Sequence, residues 1–215
     1  MTLLFAGLEE SLPDGMALFR NAIPHEAQAG ILDAIQAVMH EAPIFRPLMP
    51  TGAQMVNSLT NCGEWGWFSD RRGYRYERLH PETGKPWPAI PDALRELAVG
   101  AAERAGYAFA PDACLVNVYD ANGKLGSHRD SDEADFSQPI VSLSFGNHAD
   151  FFFGGLERGG RTTTLTLESG DILVFGGASR LRYHGVRRIR KGTSAITHAV
   201  LPPDGRINLT LRRAK

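Results

Sequence analysis

RINLTLR, at residues 206–212, alternates without a break between apolar and polar side chains. Successive side chains of a β-strand point to opposite faces, so the apolar residues share one face. The polar residues share the other face: Arg206, Asn208, Thr210 and Arg212. Guanidinium groups on the inner face of a strand need anionic partners to offset their desolvation. The stretch predicts a strand that lies between a hydrophobic core and an acidic ligand, although an edge strand with solvated arginines fits the same pattern.

Six further segments upstream show the alternating or β-branched pattern of short strands, and turn residues separate them. They are residues 114–119, 139–145, 149–153, 162–167, 172–175 and 194–200. Short strands at such regular spacing suggest a sandwich or a jelly roll. The apolar residues from Pro24 to Val38, and those from Pro91 to Ala105, recur instead at helical spacing. We predict an α+β, mainly β fold, with N-terminal helices that buttress one sheet of a jelly roll (double-stranded β-helix).

The composition is that of a globular protein, with 215 residues of which 43% are hydrophobic and 22% are charged. One domain over residues 1–215 is the simplest organisation. Cys62 and Cys114 are too few for a disulfide framework or a four-cysteine zinc site, so we expect them to be packing residues. The start at residues 1–15 lacks the pattern of a signal peptide, and no segment suggests a membrane span. A cytoplasmic location is expected.

The charge distribution gives one candidate surface for nucleic acid. A net charge of −1 argues against coating of nucleic acid by bulk electrostatics. Six basic residues nevertheless fall between positions 180 and 191: Arg180, Arg182, Arg187, Arg188, Arg190 and Lys191. The cluster can track a phosphate backbone, but a solvated loop is the more common structure for such a run.

The turn-rich region from residue 43 to residue 91 is unusually aromatic. Its large rings include Trp65, Trp67, Phe68, Tyr74, Tyr76 and Trp87. Each ring alone can be a core residue. Together, on turn-rich sequence, they also suit a lid that stacks on flat ligands such as bases.

Three residues have the chemistry of a metal site. In His128-Arg129-Asp130 the potential ligands are separated by one residue, so on an extended segment both side chains leave the same face. His184 can join them if a jelly roll brings it back beside the pair. Two imidazoles and one carboxylate leave coordination positions open, as expected for non-haem iron(II) oxygenases, although zinc hydrolysis with the same ligands is chemically possible. Inward-facing Arg206 and Arg212 favour iron with a small dicarboxylate such as 2-oxoglutarate.

From about residue 60 to residue 212 the chain closely resembles the AlkB family of nucleic-acid demethylating dioxygenases. The matching motifs, in order, are TNCG (60–63), GW (66–67), GY (73–74), KPWPA (85–89), PDACLVNVY (111–119), HRDSDE (128–133), PIVSLSFG (139–146), FGGL (153–156), GD (170–171), YHG (183–185) and RINLTLR (206–212). The resemblance implies that residues 43–91 form a nucleotide-recognition lid and that residues 114–213 form the jelly-roll catalytic core.

The resemblance also implies roles for individual residues. The iron(II) ligands would be His128, Asp130 and His184. The residues around 2-oxoglutarate would be Asn117, Tyr119, Arg206, Asn208 and Arg212. Those in contact with the flipped nucleotide or its flanking phosphates would be Trp67, Tyr74, Asp132 and Arg158. No role follows for Arg129.

The implied reaction is oxidative demethylation of N-alkylated bases such as 1-methyladenine and 3-methylcytosine. It would use iron(II), dioxygen and 2-oxoglutarate, and release formaldehyde, succinate and carbon dioxide. The expected partner is alkylated DNA in single-stranded form, with RNA as an alternative, and the protein is expected to act as a monomer without a membrane partner. Two other hypotheses remain at this point: a dioxygenase of the same chemistry that acts on modified RNA or another substrate, and a non-catalytic nucleic-acid binding module.

Overall fold

The computed structural model describes residues 12–215. In chain order its elements are β1 (Met16–Phe19), α1 (His25–Glu41), β2 (Ser58–Gly63), β3 (Gly66–Asp70), β4 (Gly73–Glu77), α2 (Asp92–Arg104), β5 (Ala113–Tyr119), β6 (Leu125–His128), β7 (Ile140–Gly146), β8 (His148–Phe153), β9 (Thr163–Leu167), β10 (Ile172–Phe175), a short 3₁₀ helix (Gly177–Ser179), β11 (His184–Arg190) and β12 (Arg206–Arg212).

The strands form two facing sheets and one separate hairpin. The larger sheet has six strands in the order β1-β10-β7-β12-β5-β2, and the smaller sheet has four in the order β6-β11-β8-β9. Strands β3 and β4 pair only with each other. Apolar residues from both sheets, among them Phe151, Phe175 and Leu173, pack together between the sheets. The predicted jelly-roll arrangement of two sheets around a core is therefore present.

Strand β12 lies in the middle of the larger sheet, since it pairs with β5 on one side and β7 on the other. The interpretation as an edge strand with solvated arginines is wrong. Ile207, Leu209 and Leu211 are fully buried in a core that also contains apolar residues of α1 and α2. The helices thus cover the outer face of the larger sheet, and the polar face of β12 is turned towards the smaller sheet.

Both predicted helices and six of the seven predicted strands are present; the first helix extends three residues beyond its predicted end, to Glu41, and the other ends shift by a residue or so. The prediction of a strand at 194–200 is wrong. Those residues are irregular and end in a turn at 199–200. Where the segment begins, the backbone N–H groups of Thr193 and Ser194 both donate to the side-chain oxygen of Asn147, 2.7 and 3.0 Å away. The strand in this part of the chain is β11, in the basic segment that we expected to be a solvated loop.

Residues 43–91 contain more regular structure than their turn-rich sequence indicates. Strand β2 belongs to the larger sheet, and only the β3–β4 hairpin stands apart. Cys62 on β2 lies directly opposite Cys114 on β5, and both thiols are free and buried, which confirms that no disulfide joins them. The apolar start of the chain lies outside the described residues as far as residue 11. Within 12–215, neither helix has the length and hydropathy that a bilayer crossing requires.

Candidate active site

His128, Asp130 and His184 come together between the two sheets, and one potential ligand atom of each lies within 4.8 Å of the others. His128 ends β6 and His184 begins β11, and the two residues are direct partners in the register of these antiparallel strands. Their rings lie 4.4 Å apart between centroids. The Nε2 atoms of His128 and His184 lie 3.8 and 3.9 Å from the Asp130 carboxylate oxygens.

Backbone carbonyls orient both imidazoles. Nδ1 of His128 lies 2.9 Å from the oxygen of Gly126, and Nδ1 of His184 lies 2.9 Å from the oxygen of Arg182. A carbonyl only accepts, so each Nδ1 carries the proton and each Nε2 keeps its lone pair for a metal. Two imidazole nitrogens and a carboxylate oxygen on one side of an ion fit iron(II) with open positions.

Charges around the Asp130 carboxylate keep it ionised. Burial is the largest single influence and raises the pKa of Asp130, but the neighbouring basic groups together outweigh it and bring the pKa well below its usual range. The strongest of them is Arg212, whose Nη2 donates to Oδ2 at 2.9 Å. His184 stays neutral for a different reason. Burial, aided by the charge of His128, lowers the pKa of His184 to about 4. At neutral pH Asp130 therefore presents a negative charge to a cation, and His184 presents a neutral nitrogen.

Arg206 is fully buried on β12 and lies on the polar face that also carries Arg212. Its Nη1 donates to the backbone oxygens of Asn147 and Leu167, and its Nη2 donates to Ser144 Oγ at 2.7 Å. Within residues 12–215 the guanidinium has no ion pair, and its Nε has no hydrogen-bond partner. Burial lowers the pKa of Arg206 to about 10, which still leaves it charged at neutral pH. A buried cation with a free donor fits one carboxylate of a dicarboxylate.

The remaining residues assigned to 2-oxoglutarate flank Arg206 on neighbouring strands. Tyr119 is directly opposite Arg206, and Asn117 is opposite Asn208, in the β5–β12 register. Tyr119 is buried, and burial raises its pKa to about 12, so its hydroxyl is a neutral donor. Asn208 donates to Ser142 Oγ at 2.8 Å and accepts from Thr210. All five residues thus belong to one polar patch on the centre of the larger sheet.

The residues assigned to the nucleotide fall into two groups. Trp67 on β3 stacks on Tyr74 of β4 with ring centroids 5.6 Å apart, and its Nε1 donates to Asp132 Oδ2 at 2.9 Å. The Asn61 side chain holds both the N–H and the carbonyl of Trp67. Arg158 is separate from this group. It is exposed on the loop after β8, and its guanidinium lies 5.5 Å from the centre of the Tyr183 ring.

Comparison with known proteins identifies the family. Residues 15–212 match the family described as the 2OG-Fe(II) oxygenase superfamily. The alpha-ketoglutarate-dependent dioxygenase AlkB of Escherichia coli (strain K12) is 43% identical over 215 residues, which are 98% of this chain and 97% of that protein. The chain belongs to the AlkB family of this superfamily. It is therefore an oxygenase whose family uses iron(II), 2-oxoglutarate and dioxygen.

Two further relatives are informative. The DNA N(6)-methyladenine demethylase ALKBH1C of Arabidopsis thaliana is 32% identical over 222 residues, which cover 93% of this chain and 48% of the larger plant protein. The solved structure of OsALKBH1 superposes with a TM-score of 0.83 at 30% identity, over 96% of this chain and 100% of that one. This match confirms the mainly β fold of the family. Membership of an oxygenase family also favours an enzyme over a non-catalytic binding module.

Sequence reasoning missed a buried network behind the site of this oxygenase. The Glu133 carboxylate accepts from Tyr76 Oη at 2.6 Å and from Arg180 Nη2 at 3.1 Å, and it lies 3.5 Å from Arg212 Nε. Arg180 Nη1 also donates to the backbone oxygen of Asp130 at 3.0 Å. The network joins the hairpin, the loop after β6 and strand β12. The adjacent acidic residues of HRDSDE were the only signal in the sequence, and they do not distinguish buried Glu133 from half-buried Asp132.

The basic cluster at 180–191 is divided by its contacts. Arg180 is buried against Glu133, whereas Arg188 and Arg190 both pair with Asp150 at 2.6 Å. Arg187 is exposed, and its guanidinium lies 4.5 Å from the centre of the Phe152 ring. The cluster is therefore neither one phosphate-tracking surface nor a solvated loop.

Proposed function

We propose that this oxygenase removes alkyl groups from N-alkylated bases, of the 1-methyladenine and 3-methylcytosine type, in nucleic acid. The observation that carries the proposal is the two-histidine, one-carboxylate group beside two inward arginines on β12. The relative from Escherichia coli, named as the alpha-ketoglutarate-dependent dioxygenase AlkB, supports it. Iron(II) bound there would use dioxygen to oxidise the N-alkyl carbon while 2-oxoglutarate is converted to succinate and carbon dioxide, and the alkyl carbon of a methyl group would leave as formaldehyde.

The protein's part in this chemistry is to bind, orient and exclude water. We assign the metal to His128, Asp130 and His184. Arg206 binds the far carboxylate of 2-oxoglutarate, because its buried guanidinium forms no ion pair within 12–215 and its Nε has no hydrogen-bond partner. Arg212 holds Asp130 and the metal-side carboxylate, and the rest of the cosubstrate lies against Asn117, Tyr119 and Asn208.

The substrate base is assigned to the hairpin. Trp67 and Tyr74 offer aromatic surface for stacking, and Asp132 places a carboxylate at the edge of the Trp67 ring. A base alkylated on its pairing nitrogen is a cation, so this carboxylate favours the lesion over the neutral parent base. Such a base also pairs poorly, which lowers the cost of flipping it into the site. We assign residues 43–91 as the recognition lid. The β3–β4 hairpin is the part of this lid that does not belong to the larger sheet.

We further propose that residues 1–215 form one domain, with a catalytic core at 114–213, and that the protein is a cytoplasmic monomer. Single-stranded DNA is the proposed partner, because a flexible strand presents a flipped base at the least cost, and RNA is the alternative. One experiment tests both whether the partner is DNA or RNA and which methylated base is the substrate. Iron(II)-loaded protein is incubated with methylated DNA and RNA oligonucleotides, and the loss of each methyl group is read by mass spectrometry.

Demethylation of N6-methyladenine is the second candidate, because a relative at 32% identity is named for it. That base is neutral, whereas 1-methyladenine is cationic. Asp132→Asn removes the charge beside Trp67 and keeps a side-chain oxygen as its acceptor. We expect this variant to lose about tenfold in kcat/KM on the cationic bases, which corresponds to about 1.4 kcal/mol. An equal loss of kcat/KM on cationic and neutral bases would show that the Asp132 charge does not select the cationic lesion, and would favour the second candidate.

A further inference from the structure

Arg129 and Arg158 meet at one aromatic ring. The Arg129 guanidinium lies 5.6 Å from the centre of the Tyr183 ring, and that of Arg158 lies 5.5 Å from it. Arg129 follows the metal-ligand candidate His128, and Arg158 belongs to the loop between β8 and β9. Both distances are within the range in which a guanidinium is attracted to a ring. The contact thus joins two arginines from separate parts of the chain.

Strand pairing explains why the three residues meet. His128 and His184 are partners in the β6–β11 register, so the preceding Tyr183 comes beside Arg129. The Tyr183 N–H donates to the oxygen of Gly155 at 3.0 Å, and its carbonyl accepts from the N–H of Gly154 at 2.8 Å. These two bonds attach the ring to the loop that carries Arg158.

The three residues lie on the outer side of the smaller sheet. The His184 ring packs against Phe151 and Phe175 between the sheets. Successive side chains alternate in direction, so Tyr183 points the opposite way from His184. The two arginines are exposed, and Tyr183 is half-buried beneath them. Their guanidinium groups are therefore accessible to a ligand that passes outside the metal site.

Neither guanidinium is neutralised by a carboxylate of residues 12–215. Among the residues that the structure describes, Arg129 and Arg158 form no ion pair with a carboxylate, in contrast to Arg188 and Arg190, which share Asp150. A guanidinium placed over a ring keeps its N–H edges available for an anion. Two such groups close together, without an acidic partner, attract a ligand with negative charges along its length.

We propose that Arg129, Tyr183 and Arg158, named here the arginine clamp, bind a phosphodiester of the nucleic-acid strand beside the nucleotide that enters the active site. The proposal rests on the proposed function, and it gives Arg129 and Tyr183 a role in binding the strand outside the base pocket. Arg129 and Tyr183 of the clamp are direct sequence neighbours of the metal-ligand candidates His128, Asp130 and His184, so a phosphate held there fixes the strand relative to the metal. A 2-oxoglutarate ion is not the ligand of this surface, because its site is buried on the larger sheet.

The first test measures binding of an unmodified single-stranded oligonucleotide over a series of salt concentrations. Loss of one phosphate contact lowers the slope of log K against log salt by about 0.7. We expect that decrease for Arg129→Gln and for Arg158→Gln, about twice that decrease for the double variant, and an affinity several-fold weaker for Tyr183→Leu. Arg104→Gln is the matched control, because Arg104 is exposed at the end of α2 on the far side of the larger sheet. The control is expected to behave as the wild type.

The second test separates binding from a structural role. With a methylated oligonucleotide, Arg129→Gln should raise KM about three- to tenfold and retain kcat. A phosphate contact stabilises the bound substrate and the transition state by the same amount, so its loss weakens binding without slowing the reaction. Iron content per chain is measured in each variant. A fall in kcat and iron content with unchanged KM would show that Arg129 positions the metal loop, and would overturn the clamp. Salt slopes equal to that of the wild type would also overturn it.

The two proposals fail in different ways. If the wild type releases no formaldehyde from any methylated oligonucleotide, the proposed function is wrong, and the salt series on unmodified strands still decides the clamp. If the wild type demethylates and Arg129→Gln has the wild-type slope and KM, the clamp alone is wrong.

Discussion

Arg206 is the residue at which structure and chemistry are most closely linked. Its charge is buried without a carboxylate partner within 12–215, which destabilises the fold unless a ligand supplies the partner. Its three hydrogen bonds to Asn147, Leu167 and Ser144 fix the guanidinium in place but do not neutralise it. A buried, pre-oriented and unpaired cation is the arrangement expected of a carboxylate-binding site.

Arg206→Met tests this interpretation. The variant removes the buried charge and keeps an apolar chain of similar length, so the free energy of unfolding without ligand should change by no more than about 1.5 kcal/mol. The increase in Tm that 2-oxoglutarate gives the wild type should disappear. Thermal unfolding with and without 2-oxoglutarate measures both effects.

Arg190→Met is the control, because Arg190, at the end of β11, is half-exposed and pairs with Asp150 of β8. It should keep the wild-type response to 2-oxoglutarate. If 2-oxoglutarate raises the Tm of Arg206→Met as much as that of the wild type, the far carboxylate of 2-oxoglutarate does not bind to Arg206.

Local patterns were enough to predict that His128 and Asp130 leave one face and that β12 has a polar face, because His-x-Asp spacing and strict alternation fix side-chain direction. His184 joined the pair only on the expectation of a jelly roll. Local patterns were not enough for Glu133 or Arg180. Both contacts depend on how three separate segments pack, and no local pattern in the sequence marks a charged residue as buried.

Strand β11 shows the limit of local patterns at the scale of an element. Its sequence, HGVRRIR, has three arginines in seven residues, which indicates an exposed loop. The segment forms a strand because β8 and β6 pair with it on both sides and because Asp150 of β8 neutralises Arg188 and Arg190. The β-branched stretch at 194–200 has the better strand propensity but no pairing partner. Pairing with distant strands thus determines that β11 is a strand and that residues 194–200 are not.

The arginines in and beside this strand should differ sharply in their effect on stability. Arg180→Met leaves Glu133 without its closest cation and should lower the free energy of unfolding by about 3 kcal/mol or more. Arg188→Met removes an exposed partner of buried Asp150, which keeps its ion pair with Arg190, and should cost less than about 1 kcal/mol. Urea unfolding of the two variants in parallel makes the comparison. Equal losses would mean that the Glu133 network does not contribute as a buried ion pair.

At the scale of the whole molecule, the jelly roll brings residues from distant segments to one place. His128 and His184 become neighbours only because β6 and β11 pair, and Arg206 reaches the same interior because β12 is central in the opposite sheet. The family resemblance predicted this arrangement, whereas spacing alone left zinc and iron equally open. The order of strands within each sheet did not follow from any segment by itself.

The stability of the metal-free molecule should depend on pH through His184. In the folded protein its pKa is about 4, against 6.5 in the unfolded chain. Above pH 6.5 the imidazole is neutral in both states. As the pH falls from 6.5 to 4 the unfolded chain binds a proton that the folded protein does not, so the free energy of unfolding should fall by up to about 3 kcal/mol.

Urea unfolding of EDTA-treated protein at pH 7, 6 and 5 measures this dependence. His184→Gln has no group that titrates at this position and should show a weaker fall over the same range. A pH dependence identical in the two proteins would contradict the lowered pKa of His184.

Formaldehyde release from an oligonucleotide that contains 1-methyladenine tests the central claim most directly. We predict release by the wild type that requires iron(II), 2-oxoglutarate and dioxygen together, with one succinate formed for each formaldehyde. His128→Ala should lose this turnover, because a two-ligand site cannot hold the metal in place. Turnover that persists in His128→Ala, or that proceeds without 2-oxoglutarate, would contradict the account.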